Sequence, residues 1–121
     1  HMEKKTGLTK NEGWQFGIRK TVPVKADIVW DFLFSEEGTA LWLKDADREF
    51  STFSTSSHIR TKWKLKKWTN EATLQMRIIS NIGKSTIAFH IDQLLNEDQR
   101  AETQQYWSEI LNEIILNLNK I

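Results

Sequence analysis

The stretch that decides the fold is residues 96–121, NEDQRAETQQYWSEILNEIILNLNKI. Trp107, Ile110, Leu111, Ile114, Leu118 and Ile121 recur at three- and four-residue steps, while Glu, Gln and Asn fill the opposite side, the pattern of an amphipathic helix. The start is marked as well: Asn96 can cap, Gln99 holds the capping-box position, and Glu97 and Asp98 suit the positive end of the helix dipole. The spacing predicts a helix from about Glu97 to Ile121, about 24 residues and roughly 36 Å long, enough to cross a small sheet. Ile115 and Leu116 broaden the apolar stripe beyond the narrow seam of a coiled coil, so the expected partner is the chain's own sheet.

That sheet is legible upstream as alternation with period two. Trp14, Phe16 and Ile18 alternate with Gln15, Gly17 and Arg19 in a strand ending near Val22, closed by Pro23. In HIRTKWKLKKW, residues 58–68, Ile59, Thr61, Trp63 and Leu65 alternate with Arg60, Lys62, Lys64 and Lys66. A turn over Trp68 to Glu71 leads to Leu74, Met76 and Ile78. After Asn81-Ile82-Gly83-Lys84 come Ile87, Phe89 and Ile91 facing in, with Thr86, Ala88, His90 and Asp92 facing out. Connections this short imply antiparallel neighbours.

Between the first strand and the basic one, ADIVWDFLF at 26–34 sets Ile28 over Phe32, Val29 over Leu33 and Trp30 over Phe34, a short and largely buried helix. Ser35 reads as the cap of a second short helix carrying Glu36 and Glu37 in its first turn and Leu41 and Trp42 further on, to about Leu43. Residues 44–57 read as a polar loop with one weak strand near Glu49 to Phe53. The whole is an α+β arrangement.

Composition bounds the function. The chain has 121 residues, fitting one domain over residues 13–121; His1 and Met2 read as a tag remnant, and residues 3–12, EKKTGLTKNE, as a flexible lead-in. Cysteine is absent, which excludes disulfides, thiolate nucleophiles and cysteine metal sites. No run approaches the roughly 20 apolar residues of a membrane span, and a soluble, cytoplasmic protein is expected. A net charge of +1 makes no global demand for nucleic acid or an anionic membrane. Six Trp and six Phe instead point to aromatic packing in the core or around a cavity.

The segment TVPVKADIVWDFLFSEEGTALWL, residues 21–43, resembles the first motif of the AHSA1-like (activator of Hsp90 ATPase-like) branch of the START/Bet v 1-like SRPBCC superfamily. Val22-Pro23, Val29-Trp30, Leu33 and Trp42-Leu43 carry the likeness. Thr86, Ile87, Phe89 and His90 match the family's strand pattern, and Trp107 followed by Leu repeats matches its terminal helix. The likeness covers about Trp14 to Leu118. Two departures stand out: Tyr106, not Gly, precedes Trp107, and the polar 44–57 stretch replaces a Gly-rich hairpin.

The resemblance implies a helix-grip fold, a curved antiparallel sheet wrapped around the long C-terminal helix, with two short helices after the first strand. It also implies an apolar cavity between sheet and helix, lined by Phe16, Phe32, Trp42, Phe50, Phe53, Trp63, Met76, Phe89, Trp107 and Leu111. The expected function is non-catalytic binding of a small hydrophobic or amphipathic ligand, without a cofactor, by a monomer or weak dimer. The alternatives are a protein-interaction module of the chaperone-cofactor kind and, third, a cyclase- or hydrolase-type enzyme.

Other constellations favour bland readings. Arg60, Lys62, Lys64 and Lys66, with Arg77, form a basic stripe that suits a solvated strand face as well as an anionic partner. His90 and Asp92 share a strand face, but no nucleophile accompanies them, and His58 has no spaced partner. No phosphate-binding Gly loop, metal signature or serine elbow is present.

Overall fold

The computed structural model describes residues 7–9 and 13–121. Strands β1 (Leu8–Thr9) and β2 (Gly13–Val22) are followed by helices α1 (Ala26–Leu33) and α2 (Glu36–Trp42). Strands β3 (Thr52–Ser54), β4 (His58–Trp63), β5 (Ala72–Asn81) and β6 (Lys84–Leu94) come next, and helix α3 (Glu97–Leu118) ends the series. All strand pairs are antiparallel, in the order β1-β2-β6-β5-β4-β3. Helix α3 lies against β2 and β6, and the short helices close the remaining side. This is the α+β helix-grip arrangement expected from the order of the patterns.

The local signals work as physical chemistry requires. Ser35 Oγ accepts the Gly38 N–H at 3.1 Å and caps α2. Asn96 Oδ1 accepts the Gln99 N–H at 2.9 Å and caps α3. The Gln99 side chain then reaches one residue further back than a capping box requires, accepting the Leu95 N–H at 2.9 Å. It also exchanges two hydrogen bonds with the Asn70 amide, at 2.9 and 2.7 Å, pinning the β4–β5 loop to the start of α3. The β5–β6 turn is tight, pairing Asn81 with Lys84 and placing Gly83 at φ +70°.

Several boundaries differ from the sequence reading. The weak strand is Thr52–Ser54, shifted toward β4 because Phe53 pairs with Ile59. Strand β4 stops at Trp63, so Leu65 lies in the loop, and Trp68, expected in a turn, is buried there against the Trp63 ring at 5.2 Å. Helix α3 stops at Leu118 in a tight turn, where Ile121 N–H bonds the Leu118 carbonyl, and Ile121 is 73% exposed rather than part of the buried stripe. Thr86 and Asp92 are buried instead of facing solvent. Thr86 shares a hydroxyl hydrogen bond with Thr21 at 2.8 Å. Asp92 lies where the β2 register shifts between Trp14 and Phe16, so that two β6 residues face the single Gln15.

Within the expected lead-in, Leu8 and Thr9 pair with Trp14 and Gly13, and the Gln15 N–H bonds the Gly7 carbonyl. The rest of that stretch and the tag remnant lie outside the described residues. No helix among the described residues is long and apolar enough to cross a membrane.

Candidate functional site

The ten residues expected to line a cavity come from nine parts of the chain. Phe16 lies on β2, Phe32 on α1, Trp42 on α2, Phe50 in the following loop, Phe53 on β3, Trp63 on β4, Met76 on β5, Phe89 on β6, and Trp107 and Leu111 on α3. The fold brings six of them into one row of rings. Trp63 meets Trp107 at 5.5 Å, Trp107 stacks on Phe89 at 4.6 Å, Phe89 meets Trp42 at 6.4 Å, Trp42 stacks on Phe50 at 6.4 Å, and Phe50 stacks on Phe53 at 5.9 Å. Such pairs add about 0.5–1.5 kcal/mol each beyond their buried area. Trp42, Trp63, Met76, Phe89, Trp107 and Leu111 are all essentially inaccessible, whereas Phe53 is 52% exposed at the sheet edge. The row thus begins between sheet and helix and ends at the surface, where Phe53 also touches the Trp30 and Phe34 rings.

Open space lies beside this row, at the seam of α2 and α3. A groove of about 380 Å³ is lined by Leu41, Lys44, Tyr106, Glu109, Ile110, Asn112 and Glu113. A neighbouring hollow of about 230 Å³ is bounded by Leu65, Glu102, Gln105, Tyr106 and Glu109. Tyr106 and Glu109 are common to both. None of the groove residues was among the ten expected to line a cavity, although the signal was present. Tyr106, Glu109, Ile110 and Glu113 recur at three- and four-residue steps along the flank of the apolar stripe, as Leu41 and Lys44 do at the end of α2.

Tyr106 is held in place from three sides. Its hydroxyl donates to Asp45 Oδ2 at 2.8 Å, the Lys44 ammonium lies 5.6 Å from its ring centroid, and its ring meets Trp63 at 5.0 Å and Trp107 at 5.2 Å. Burial, and after it the hydrogen bond to the Asp45 carboxylate, pushes the phenol well above the ordinary tyrosine range. Tyr106 is therefore a neutral donor at the wall of the groove. On the other side of the hollow, the Trp68 indole donates to Glu102 Oε1 at 3.3 Å, and Lys67 forms an ion pair with the same carboxylate. The Lys67 hydrogen bond is the main reason the Glu102 carboxyl lies below its usual value.

The remaining candidates separate. Lys64 is half-buried and donates to the Leu65 and Trp68 carbonyls at 3.3 and 2.8 Å, so the basic stripe does not continue past Lys62, which itself lies 3.6 Å from Glu71. His90 is half-buried opposite Gly17 on the outer sheet face, and His58 Nδ1 bonds its neighbour Ser57 at 2.8 Å. Among the described residues no three His, Cys, Asp or Glu side chains are grouped to hold a metal ion.

No family model matches the chain, and no curated protein matches it. Solved structures do. DynU16, from a dynemicin biosynthetic locus, superposes with TM-score 0.75 at 11% identity, covering 87% of this chain but 47% of its own, so this chain spans about half of that one. CalU16 from Micromonospora echinospora gives TM-score 0.75 at 11% identity over 88% of this chain and 76% of its own. An Hsp90 activator from Plasmodium falciparum gives TM-score 0.72 at 15% identity over 88% of this chain and 97% of its own. At these identities the likeness establishes the fold alone: the chain shares with these structures the α+β helix-grip arrangement described above.

Proposed function

We propose that this domain is a non-catalytic binding module for a small apolar or amphipathic molecule, held in the groove between α2 and α3. The groove itself carries the reading. Its volume, about 380 Å³, falls within the range of small-molecule sites, with Leu41, Ile110 and the Tyr106 ring as apolar walls. Lys44, Glu109, Asn112 and Glu113 are available at its edge for a polar head group. The Tyr106 wall is braced by the Trp63 and Trp107 rings, at 5.0 and 5.2 Å from its own. Burial of apolar ligand surface there would drive association at about 25 cal/mol per Å² before ordering costs.

Titration with the neutral fluorescent probe N-phenyl-1-naphthylamine tests this. Leu41 is half-buried at the groove, so Leu41→Glu places a charge there without truncating any fully buried side chain. The folded variant should bind the probe at least about tenfold more weakly. Unchanged affinity would defeat the site.

A second reading rests on Phe53, a large aromatic side chain 52% exposed on an edge strand beside the Trp30 and Phe34 rings. Exposed aromatic groups suit protein contacts, and one structural neighbour is an Hsp90 activator. On this reading Phe53→Ser abolishes capture of a protein partner and leaves probe binding unaltered.

A further inference from the structure

The flank of α3 along the groove and the neighbouring hollow carries Glu102, Tyr106, Glu109 and Glu113, three carboxylates at three- and four-residue steps around one ring. Glu102 has its counter-ion in Lys67. Glu109 and Glu113 line the groove itself, and neither side chain forms an ion pair or hydrogen bond among the described residues. Like charges four residues apart repel along a helix, and within α3 no Lys, Arg or His follows Arg100 to relieve them. Across the groove α2 holds no basic residue either. Lys44, the one cation of the lining, lies over the Tyr106 ring and pairs with neither carboxylate, and Asp45 beside it in the chain accepts the Tyr106 hydroxyl. The groove thus joins apolar walls to two carboxylates without a counter-ion.

We infer that the molecule taken by the groove is an amphipathic amine, its ammonium group between the Glu109 and Glu113 carboxylates and its apolar body against Leu41, Ile110 and the Tyr106 ring. This rests on the α2–α3 groove being a ligand site. The charges decide the head group. A carboxylate or phosphate would meet two like charges and a single cation, whereas an ammonium group meets two opposite charges and relieves their mutual repulsion. The walls decide against a bare metal ion, which needs six or more oxygen ligands where the lining supplies two carboxylates and the Asn112 amide among apolar side chains. The volume, about 380 Å³, suits a small organic cation.

The test uses the intact, 15N-labelled chain and three probes with one aromatic body and different charge: 1-naphthylmethylamine, cationic at neutral pH, 1-naphthylmethanol, neutral, and 1-naphthoate, anionic. Backbone amide shifts at Leu41 and Ile110 report occupancy of the groove. The amine should bind about fivefold more tightly than the alcohol, the worth of two partly exposed ion pairs, and the carboxylate more weakly than either. In the double variant Glu109→Gln, Glu113→Gln, whose sites are both exposed, the amine-to-alcohol ratio should fall to about one. Raising the salt from about 20 mM to about 500 mM should narrow the same ratio on the natural chain, a readout that needs no variant. If the alcohol saturates the groove as tightly as the amine, or the ratio survives both the double variant and the salt, the cation inference fails and the groove reading stands. If none of the three probes gives saturable shifts at Leu41 and Ile110, the groove reading fails and this inference fails with it.

Discussion

The Phe89 and Trp107 rings stack with centroids 4.6 Å apart and planes 30° apart, joining the middle of β6 to the middle of α3. Both side chains are buried, and Trp107 also meets Trp63 on β4. This contact is where the helix grips the sheet. Phe89→Ala removes a buried ring and leaves a cavity, and should lower unfolding free energy by about 3–5 kcal/mol in a urea titration. A loss below about 1 kcal/mol would mean that α3 is held mainly by its other contacts.

Tyr106 gives the chain an alkaline limit. Its folded form keeps the phenol proton above the ordinary value of 10, whereas the unfolded chain releases it near that value. The sign follows: this contribution to stability is complete below pH 10 and is lost as pH rises beyond it, because the unfolded state then binds fewer protons. Tyr106 is the only tyrosine in the chain, so phenolate absorbance reports it alone. Absorbance should rise only well beyond pH 10 and together with unfolding. A reversible titration at the ordinary value in folded protein would show the Asp45 bond and the burial to be ineffective.

Gly38 permits the sharp α1–α2 corner. A Cβ at this position would lie 1.9 Å from the Phe32 carbonyl oxygen and 2.9 Å from the Leu33 Cα, both backbone atoms that cannot swing away. Gly38→Ala should therefore destabilise by about 3 kcal/mol despite the better helix propensity of alanine. Because Leu41 and Lys44 follow from this corner, the variant should also weaken probe binding. Thermal unfolding indistinguishable from that of the natural chain would refute the steric account.

The elements that could be read in advance were those with a long, regular signal. The α3 stripe, the Asn96 and Ser35 caps and the alternation of β4, β5 and β6 each depend on neighbours in sequence, and each is present. What was not legible depends on neighbours in space. Trp68 is buried because Trp63 and Glu102 come to it from β4 and α3. Asp92 is buried where the β2 register shifts, which no local pattern in β6 announces. The same holds for the site. The family resemblance pointed to the residues of the row from Trp63 to Phe53, but their rings turn toward one another, and the open groove falls on Leu41, Tyr106 and Ile110 at the flank of the stripe. That flank exists only once α2 has been folded against α3.

The central claim, a small-molecule site at the α2–α3 seam, is tested most directly by mapping backbone amide shifts of the intact chain during titration with N-phenyl-1-naphthylamine. The largest shifts should fall at Leu41, Lys44, Tyr106 and Ile110, saturating together with a single affinity. Shifts concentrated at Phe53 and its strand, or no saturable shifts at all, would contradict it.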